Sequence, residues 1–512
     1  MITITVKASS IWIEPYRRYS VSSLEKSLSV YDVPTRRYSQ FLYEFDNVDD
    51  NNRGTLKIPK GYGLSTIEKH FKEANIQNYI VKHEEDNVSK PRNVTIKMRD
   101  NFSKPRDEYQ EDAIEFLIKN KATQKFLSLS TGFGKTFCSI YYMSKINIPS
   151  LIISKNLSDQ WLEFITDYTK SQNAIDIEVL QGSEILHEYS LAKGAKNKKH
   201  KASFYITTID TLRSFATRFG SDALQVLSDN LGIGVKIFDE AHTNYIMLNK
   251  IDQNMQVKET LYLSATPGRS NQAEDRIFKK ITIHIPMHGV YTHSIDKYYY
   301  INKITFDSSP PLHVVDECST KRGFNSKRFS EYMFSTGRGK AFVYALILDI
   351  LLKIFKSDRE AKVLILLDWL RDIQWLHDIL EKNKILRSYG IEAGMYCSII
   401  TNKELREKEL ENNIIIGTLG SLSAGHDIPN LRVVIPFTTY SSSIIARQLL
   451  GRLRYIKGKA LYYFDIADEG FPAMIRQRNE RMKIFTPRAK KIIDKYVTFD
   501  EVLATVTNKL QE

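Results

Sequence analysis

Phe126 to Thr136 reads FLSLSTGFGKT, and helix-like CSIYYMSKI, Cys138 to Ile146, follows. A strand-forming run, a loop with two glycines and a helix, in that order, let backbone N–H groups and a helix N-terminus converge on phosphate oxygens. In that reading Thr131, Gly132, Phe133 and Gly134 wrap the phosphates, Lys135 reaches the β- and γ-phosphates, and Thr136 holds Mg²⁺. The full spacing GxxxxGK[ST] asks for glycine at position 129, where this chain has Leu129. Only the inner half of the pattern is present, and a glycine turn ahead of an ordinary helix shares that half.

Further along, Val235 to His242 reads VKIFDEAH, an apolar strand ending in two carboxylates. An acid at a strand tip binds Mg²⁺ through water, and a second beside it orients and deprotonates an attacking water. Asp239 suits the first role and Glu240 the second, although paired acids at a strand end are also common as solvated groups. Between and around these motifs short apolar runs alternate with helix-length segments: FLSLS, PSLIISK, SFYITT, VKIFDE and ETLYLSAT. The rhythm returns with AKVLILLD, NNIIIGTL, LRVVIPF and ALYYFDI. Strands separated by crossover helices predict parallel sheets covered on both faces, hence two α/β domains in tandem. Ahead of them SQFLYEFD, GTLKIPKGYG, LSTIEKHFKEANI and NYIVKHEE predict a small α+β module. Residues 84–106 are polar and carry SKPR twice, which reads as a linker.

The 512 residues are too many for one core, and 42% apolar with 26% charged residues is the composition of a folded globular chain. A formal charge of +13 favours a polyanionic partner, because Lys and Arg that neutralise phosphates release condensed counterions. Cys138, Cys318 and Cys397 lie in no metal-ligand spacing, which speaks against a disulfide framework and a zinc site. The opening residues lack the apolar run of a signal peptide, and no later run of about 20 apolar residues suits a membrane span. A cytoplasmic location is expected, the host cytoplasm if the chain is phage-encoded.

From Arg106 to Ile466 the order of motifs resembles the superfamily 2 helicases. Arg106-Asp107-Glu108-Tyr109-Gln110 is similar to the family's adenine-reading element, with Gln110 on the base, and Ser264-Ala265-Thr266 to the motif that links ATP state to nucleic-acid grip. Gly417-Thr418 through Gly425-His426-Asp427-Ile428-Pro429 resembles the fifth motif, which implies that Asp427 approaches the ribose. Arg447-Gln448-Leu449-Leu450-Gly451-Arg452 resembles the sixth, which implies that Gln448 and Arg452 face the γ-phosphate across a cleft. The family's second arginine in this motif falls where the chain has Tyr455, and Arg454, one position early, is the candidate to replace it. The resemblance implies two tandem RecA-like P-loop domains that use ATP and Mg²⁺. The expected division is 1–105 for the N-terminal module and linker, 106–330 and 331–470 for the two motor domains, and 471–512 for a basic helical tail.

By similarity to the strand-binding motifs of the family, Lys155 and Asn156, Thr207 and Thr208, and Ser421 to Ser423 would hold a sugar-phosphate backbone, though each hydroxyl equally suits helix capping. Arg17 and Arg36 stand among tyrosines in an arrangement that suits either phosphates and exposed bases or a solvated strand edge. AKGAKNKKHK, Ala192 to Lys201 and including Lys198 and Lys199, is either a cationic finger on duplex phosphates or a solvated loop. Length and module order resemble the phage UvsW-type branch-migration helicases. That likeness implies a monomer acting on forked or branched DNA, at single-strand/duplex junctions, with no membrane role. RNA helicase action, or an ATP-switched nucleic-acid clamp, is the alternative.

Overall fold

Strands buried on both faces of a parallel sheet read as near-continuous apolar runs. The run Val363, Leu364, Ile365, Leu366 and Leu367 has no solvent exposure at all. The computed structural model describes residues 1–512 apart from 33–36, 130–133, 156–158, 171–176, 192–201, 266–271, 291–298, 321–322, 424–427, 441, 454–458 and 505–512. The chain divides into two units, Met1–Tyr291 and Thr292–Glu512.

The first unit opens with β1 (Ile2–Val6), β2 (Ser10–Arg17), the hairpin β3 (Ser29–Asp32) and β4 (Arg37–Phe41), β5 (Glu44–Asp46), β6 (Arg53–Pro59) and β7 (Tyr79–His83). Their mixed sheet runs β5-β6-β2-β1-β7, antiparallel except for the β1–β7 pair. The helix Leu64–Glu73 makes that parallel return and buries Ile67 and Phe71, four residues apart on one face. An α+β module is present, as expected.

The second sheet of this unit contains β8 (Gln124–Leu129), β9 (Ser150–Ser154), β10 (Ile177–Val179), β11 (Phe204–Thr208), β12 (Val235–Phe238), β13 (Glu259–Ser264) and β14 (Met287–Val290). Among the described residues its order is β10-β11-β9-β12-β13-β8-β14, and every pair is parallel. All strands therefore end on one edge, where ligands of open parallel sheets bind.

The N-terminal module is built into this unit. Ser9 N donates to Gln256 Oε1 (2.9 Å), Thr123 Oγ1 to Ala8 O (2.7 Å), Lys57 Nζ to Asn254 Oδ1 (3.1 Å) and Gln253 Nε2 to Leu42 O (3.0 Å). At Gly61 a Cβ would stand 2.1 Å from Ile281 O, so only glycine permits this approach. Residues 84–106, read as a linker from their polarity, are a pinned strap. Arg92 Nη2 donates to Ala202 O (2.8 Å), Ile96 N to Asn147 Oδ1 (2.8 Å) and Arg99 Nε to Thr169 O (3.1 Å). Arg92 and Arg99 here meet carbonyls of the first unit, while most other polar side chains of the segment face water.

The second unit has β15 (Tyr299–Phe306), the short pair β16 (Ser319–Thr320) and β17 (Gly323–Phe324), β18 (Lys362–Leu367), β19 (Ala393–Tyr396), β20 (Ile414–Thr418), β21 (Leu431–Pro436), β22 (Leu461–Asp468) and β23 (Ala489–Tyr496). Its main sheet runs β19-β20-β18-β21-β22-β15-β23, again wholly parallel. Two segments depart from the sequence reading. Tyr299–Phe306, placed by sequence within 106–330, lies between β22 and β23 of this second sheet. Ala489–Tyr496, read as part of a helical tail, is the edge strand β23, which satisfies the backbone groups of β15. Among the described residues only one side of β23 is paired, and its exposed Lys, Asp and Tyr side chains break any long apolar run. No helix among the described residues is long and apolar enough to cross a membrane.

Candidate nucleotide site

β8 stops at Leu129, and the helix Lys135–Ile146 begins five residues after Ser130. Thr131, Gly132 and Phe133 lie outside the described residues. Gly134 caps the helix with φ +82°, a left-handed conformation that glycine adopts without strain. A Cβ on Gly134 would stand 2.4 Å from Gln110 Nε2. Gln110 is buried, and its Oε1 accepts from Arg106 N (2.9 Å). Asp107 caps the helix Glu108–Lys119 by accepting from Gln110 N. The adenine-reading candidate is thus packed against Gly134.

Lys135 and Thr136 open the helix, and Lys135 Nζ lies 3.5 Å from Glu240 Oε1. Asp239 follows β12, tied by its N–H to Ile153 O (2.9 Å). Its carboxylate has a donor on each oxygen: Glu240 N on Oδ1 and Trp161 Nε1 on Oδ2, both at 2.9 Å. Burial raises the Asp239 pKa, the adjacent Glu240 charge raises it further, and Lys135 opposes them. Glu240 has φ +49°, a strained backbone for a non-glycine residue that costs about 1–3 kcal/mol and collects at functional sites. The turn is held by Thr243, whose N–H (2.7 Å) and Oγ1 (2.9 Å) both donate to Glu240 O.

Glu240 Oε2 is buried and has no hydrogen bond among the described residues, with His242 Nδ1 3.2 Å away. His242 Nδ1 also lies 2.8 Å from Ser264 Oγ at the end of β13. The acidic pair and Ser264 are therefore one connected cluster, with Ala265 next to it and Thr266 outside the described residues. A carboxylate with lone pairs to spare, a neighbouring carboxylate oxygen lacking a hydrogen bond, and a threonine at the helix start fit Mg²⁺. Such an ion takes one or two protein oxygens and completes its shell with phosphates and water.

In the second unit Gln448 and Arg452 sit one turn apart on the helix Ser443–Arg452, so they share a face. The helix is capped by Ser442, which accepts from Ile445 N. The loop before it is braced by the helix Pro472–Phe485: Arg481 Nη1 donates to Tyr440 O (2.7 Å) and Thr439 Oγ1 to Gln477 Oε1 (2.7 Å). Arg478 and Arg481 converge on buried Asp465 at 2.8 and 2.7 Å and hold its carboxyl below the usual range against its burial. Arg454 and Asp427 lie outside the described residues.

Of the strand-binding candidates in the first unit, Lys155 and Thr208 stand at the ends of the paired strands β9 and β11. Lys155 is exposed just beyond β9, with Asn156 outside the description. Thr207 is wholly buried and donates to Leu180 O (2.8 Å), a placement that keeps its hydroxyl from any strand. Thr208 caps the helix Ile209–Phe219 through Thr211 N (3.0 Å). Ser421 Oγ donates to Tyr396 O and Thr418 O, both at 3.0 Å. Ser423 ends the helix Leu419–Ser423. Arg17 is exposed at the end of β2, while Arg36, Lys198 and Lys199 are outside the described residues. Sequence reasoning missed Trp161. Its partner Asp239 is 78 residues away, and nothing in the local pattern announces the contact.

Residues 103–269 match the family described as Type III restriction enzyme, res subunit. This chain is 28% identical over 176 residues to a Haloarcula marismortui protein that carries the name DNA 3'-5' helicase Rad25. The match covers 34% of this chain and 24% of that relative, so it spans about a quarter of the relative's length. Among solved structures, T4 UvsW is similar at 14% identity, covering 97% of this chain and 99% of that one, with a TM-score of 0.35. S. cerevisiae Dbp5 bound to RNA and ADP BeF3 is similar at 15% identity, covering 79% and 93%, with a TM-score of 0.48. Residues 103–269, the stretch similar to the res subunit of Type III restriction enzymes, thus hold the helix Lys135–Ile146, the acidic pair and Ser264.

Proposed function

We propose that the chain is an ATP-dependent DNA helicase or translocase that acts on branched DNA, forks and Holliday junctions, in replication, recombination and repair. The observation that supports it most is the meeting of Lys135 with Glu240 beside Asp239, at one edge of a parallel sheet and within a helicase family match. In the resting site Lys135 is held by Glu240. An arriving triphosphate is the stronger anion and draws the ammonium to its β- and γ-phosphates, which frees the carboxylate. Glu240 then takes a proton from water as the water oxygen bonds to the γ-phosphorus and the bond to the β,γ-bridging oxygen breaks, leaving ADP and phosphate. Mg²⁺, held through Thr136 and Asp239, would neutralise phosphate charge. In this reading residues 131–134 wrap the phosphates, Gln110 reads the base and Asp427 approaches the ribose. Gln448 and Arg452, with Arg454, touch the γ-phosphate and stabilise the charge of the transferring group.

Nucleic acid is held by Lys155, Asn156, Ser421, Ser423, Lys198, Lys199, Arg17 and Arg36 in this reading, with Thr208 offering its backbone. The formal charge of +13 supports a polyanionic partner, and the name of the Haloarcula relative supports DNA. In this reading, which extends the motif-order resemblance to UvsW-type helicases, the chain acts on branched DNA as a monomer in the cytoplasm, the host's if the chain is phage-encoded. Phosphate release should be measured with single-stranded DNA, duplex DNA, a Holliday junction and an RNA duplex. The junction is expected to stimulate most. Strongest stimulation by RNA would make the chain an RNA helicase, and ATP binding without turnover on any of them would make it an ATP-switched clamp.

A further inference from the structure

The third residue of the helix Asp159–Tyr168 is Trp161, which is 2% exposed and packs in the apolar layer that includes Cys138, Ile152 and Ile165. An indole has a single polar group, one N–H donor, and when buried it needs an acceptor. Here the acceptor is Asp239 Oδ2 at 2.9 Å. Because Glu240 N occupies Oδ1 at the same distance, the carboxylate is fixed by one donor on each oxygen, and each oxygen keeps a lone pair. The helix that carries Trp161 follows β9, the strand paired with β12, so the donor and the acid stand on neighbouring crossover segments of one sheet. An apolar ring would fill this layer without an N–H; the hydrogen bond is what tryptophan adds.

We infer that Trp161 is the positioning residue of Asp239: its indole N–H holds the carboxylate in the orientation that receives the magnesium of a bound nucleotide. This rests on the reading of Asp239 as the acid that serves the metal. Trp161 itself touches neither nucleotide nor reacting atoms. Its effect is confined to the metal-dependent part of nucleotide binding, which separates positioning from mere packing.

The test uses the full chain and ADP as the probe, with affinity measured by calorimetry in Mg²⁺ and again in EDTA. In the unaltered chain Mg²⁺ tightens ADP binding. In Trp161→Phe the affinity in EDTA is expected to stay within about two-fold, while affinity in Mg²⁺ falls roughly ten-fold, the scale of one hydrogen bond to a charged group. Equal losses in both conditions would assign Trp161 to packing and overturn the inference, as would no loss in either. If the unaltered chain binds ADP equally with and without Mg²⁺, the reading of Asp239 fails first, and the inference falls with it. A second arm keeps Trp161 in place: with Trp12, Trp369 and Trp375 changed to Phe, emission comes from Trp161 alone. Adding Mg²⁺ to the ADP-bound chain should change that emission, and an unchanged spectrum would overturn the proposal even if Trp161→Phe does not fold.

Discussion

Replacing Asp252 by Asn should unfold the first unit more readily than any exposed substitution. Lys236 lies on β12, the strand that delivers Asp239, and is 0% exposed; Asp252 is 1% exposed. The ammonium lies 2.5 Å from Asp252 Oδ1 and 3.2 Å from both Asp252 O and Ser9 Oγ, and it also donates to Met255 O. Asp252 in turn accepts from Gln124 Nε2 (2.8 Å) and Tyr262 OH (2.6 Å). Burial lowers the Lys236 pKa, and the Asp252 carboxylate is the charge that opposes this. Removing that charge leaves a buried cation unpaired, at a cost of about 3–5 kcal/mol. This is a large part of the ~5–15 kcal/mol that holds a domain folded. At roughly 2 °C per kcal/mol for a unit of this size, its Tm should fall by about 6–10 °C. Scanning calorimetry of the full chain, with the first transition assigned by its shift on adding ADP, reads this directly. The double variant Lys236→Met with Asp252→Asn should recover most of the loss, since no charge is left without a partner. A loss under about 1 kcal/mol for Asp252→Asn, or a double variant weaker than the single, would refute the reasoning.

Gly134→Ala should weaken ATP binding at least about ten-fold while leaving Tm within a few degrees, because the new Cβ meets Gln110 Nε2 and the φ of +82° strains any side chain; nucleotide titration checks it, and an unchanged Kd would separate Gln110 from the base. Glu240→Gln should cut phosphate release by roughly 10²–10⁴ with ATP still bound, since the amide accepts no proton from water; single-turnover hydrolysis reads it. The second unit should lose stability as pH rises through about 6. Burial pushes the Asp468 carboxyl up to about 6, so over the range above the ordinary value near 3.9 the folded chain binds a proton that the unfolded chain has released. The contribution is full below about pH 4, lost above about 6 and at most ~3 kcal/mol. Asp468→Asn should flatten that slope in urea unfolding from pH 4 to 7, and an identical slope in both chains would remove Asp468 as its source.

The parts of the fold that were legible in the sequence are those where burial dictates residue type. β18 and β12 declared themselves because a central parallel strand has two largely apolar neighbours, and Gly134 because its close approach to Gln110 leaves no room for a Cβ. β15 and β23 did not, because position in a sheet is set by topology: YYINKITF precedes the second alternating run in sequence yet pairs beside its last strand. Residues 84–106 look like a tether for the same kind of reason, since the carbonyls that receive Arg92 and Arg99 come from distant loops. In the candidate site, Lys135, Asp239 and Glu240 were readable from spacing, whereas Trp161 and the His242–Ser264 contact depend on which strand ends share an edge. Thr207 shows the opposite limit: its residue type suits a phosphate contact, but its burial directs the hydroxyl to Leu180 O.

The proposal that Arg452 serves ATP hydrolysis is tested most directly by Arg452→Ala. Phosphate release at saturating ATP and junction DNA should fall by about 10³–10⁵, the usual contribution of such an arginine. ADP affinity should change by less than about ten-fold, because the product lacks the γ-phosphate this side chain serves. Turnover at the unaltered rate in Arg452→Ala would contradict the account.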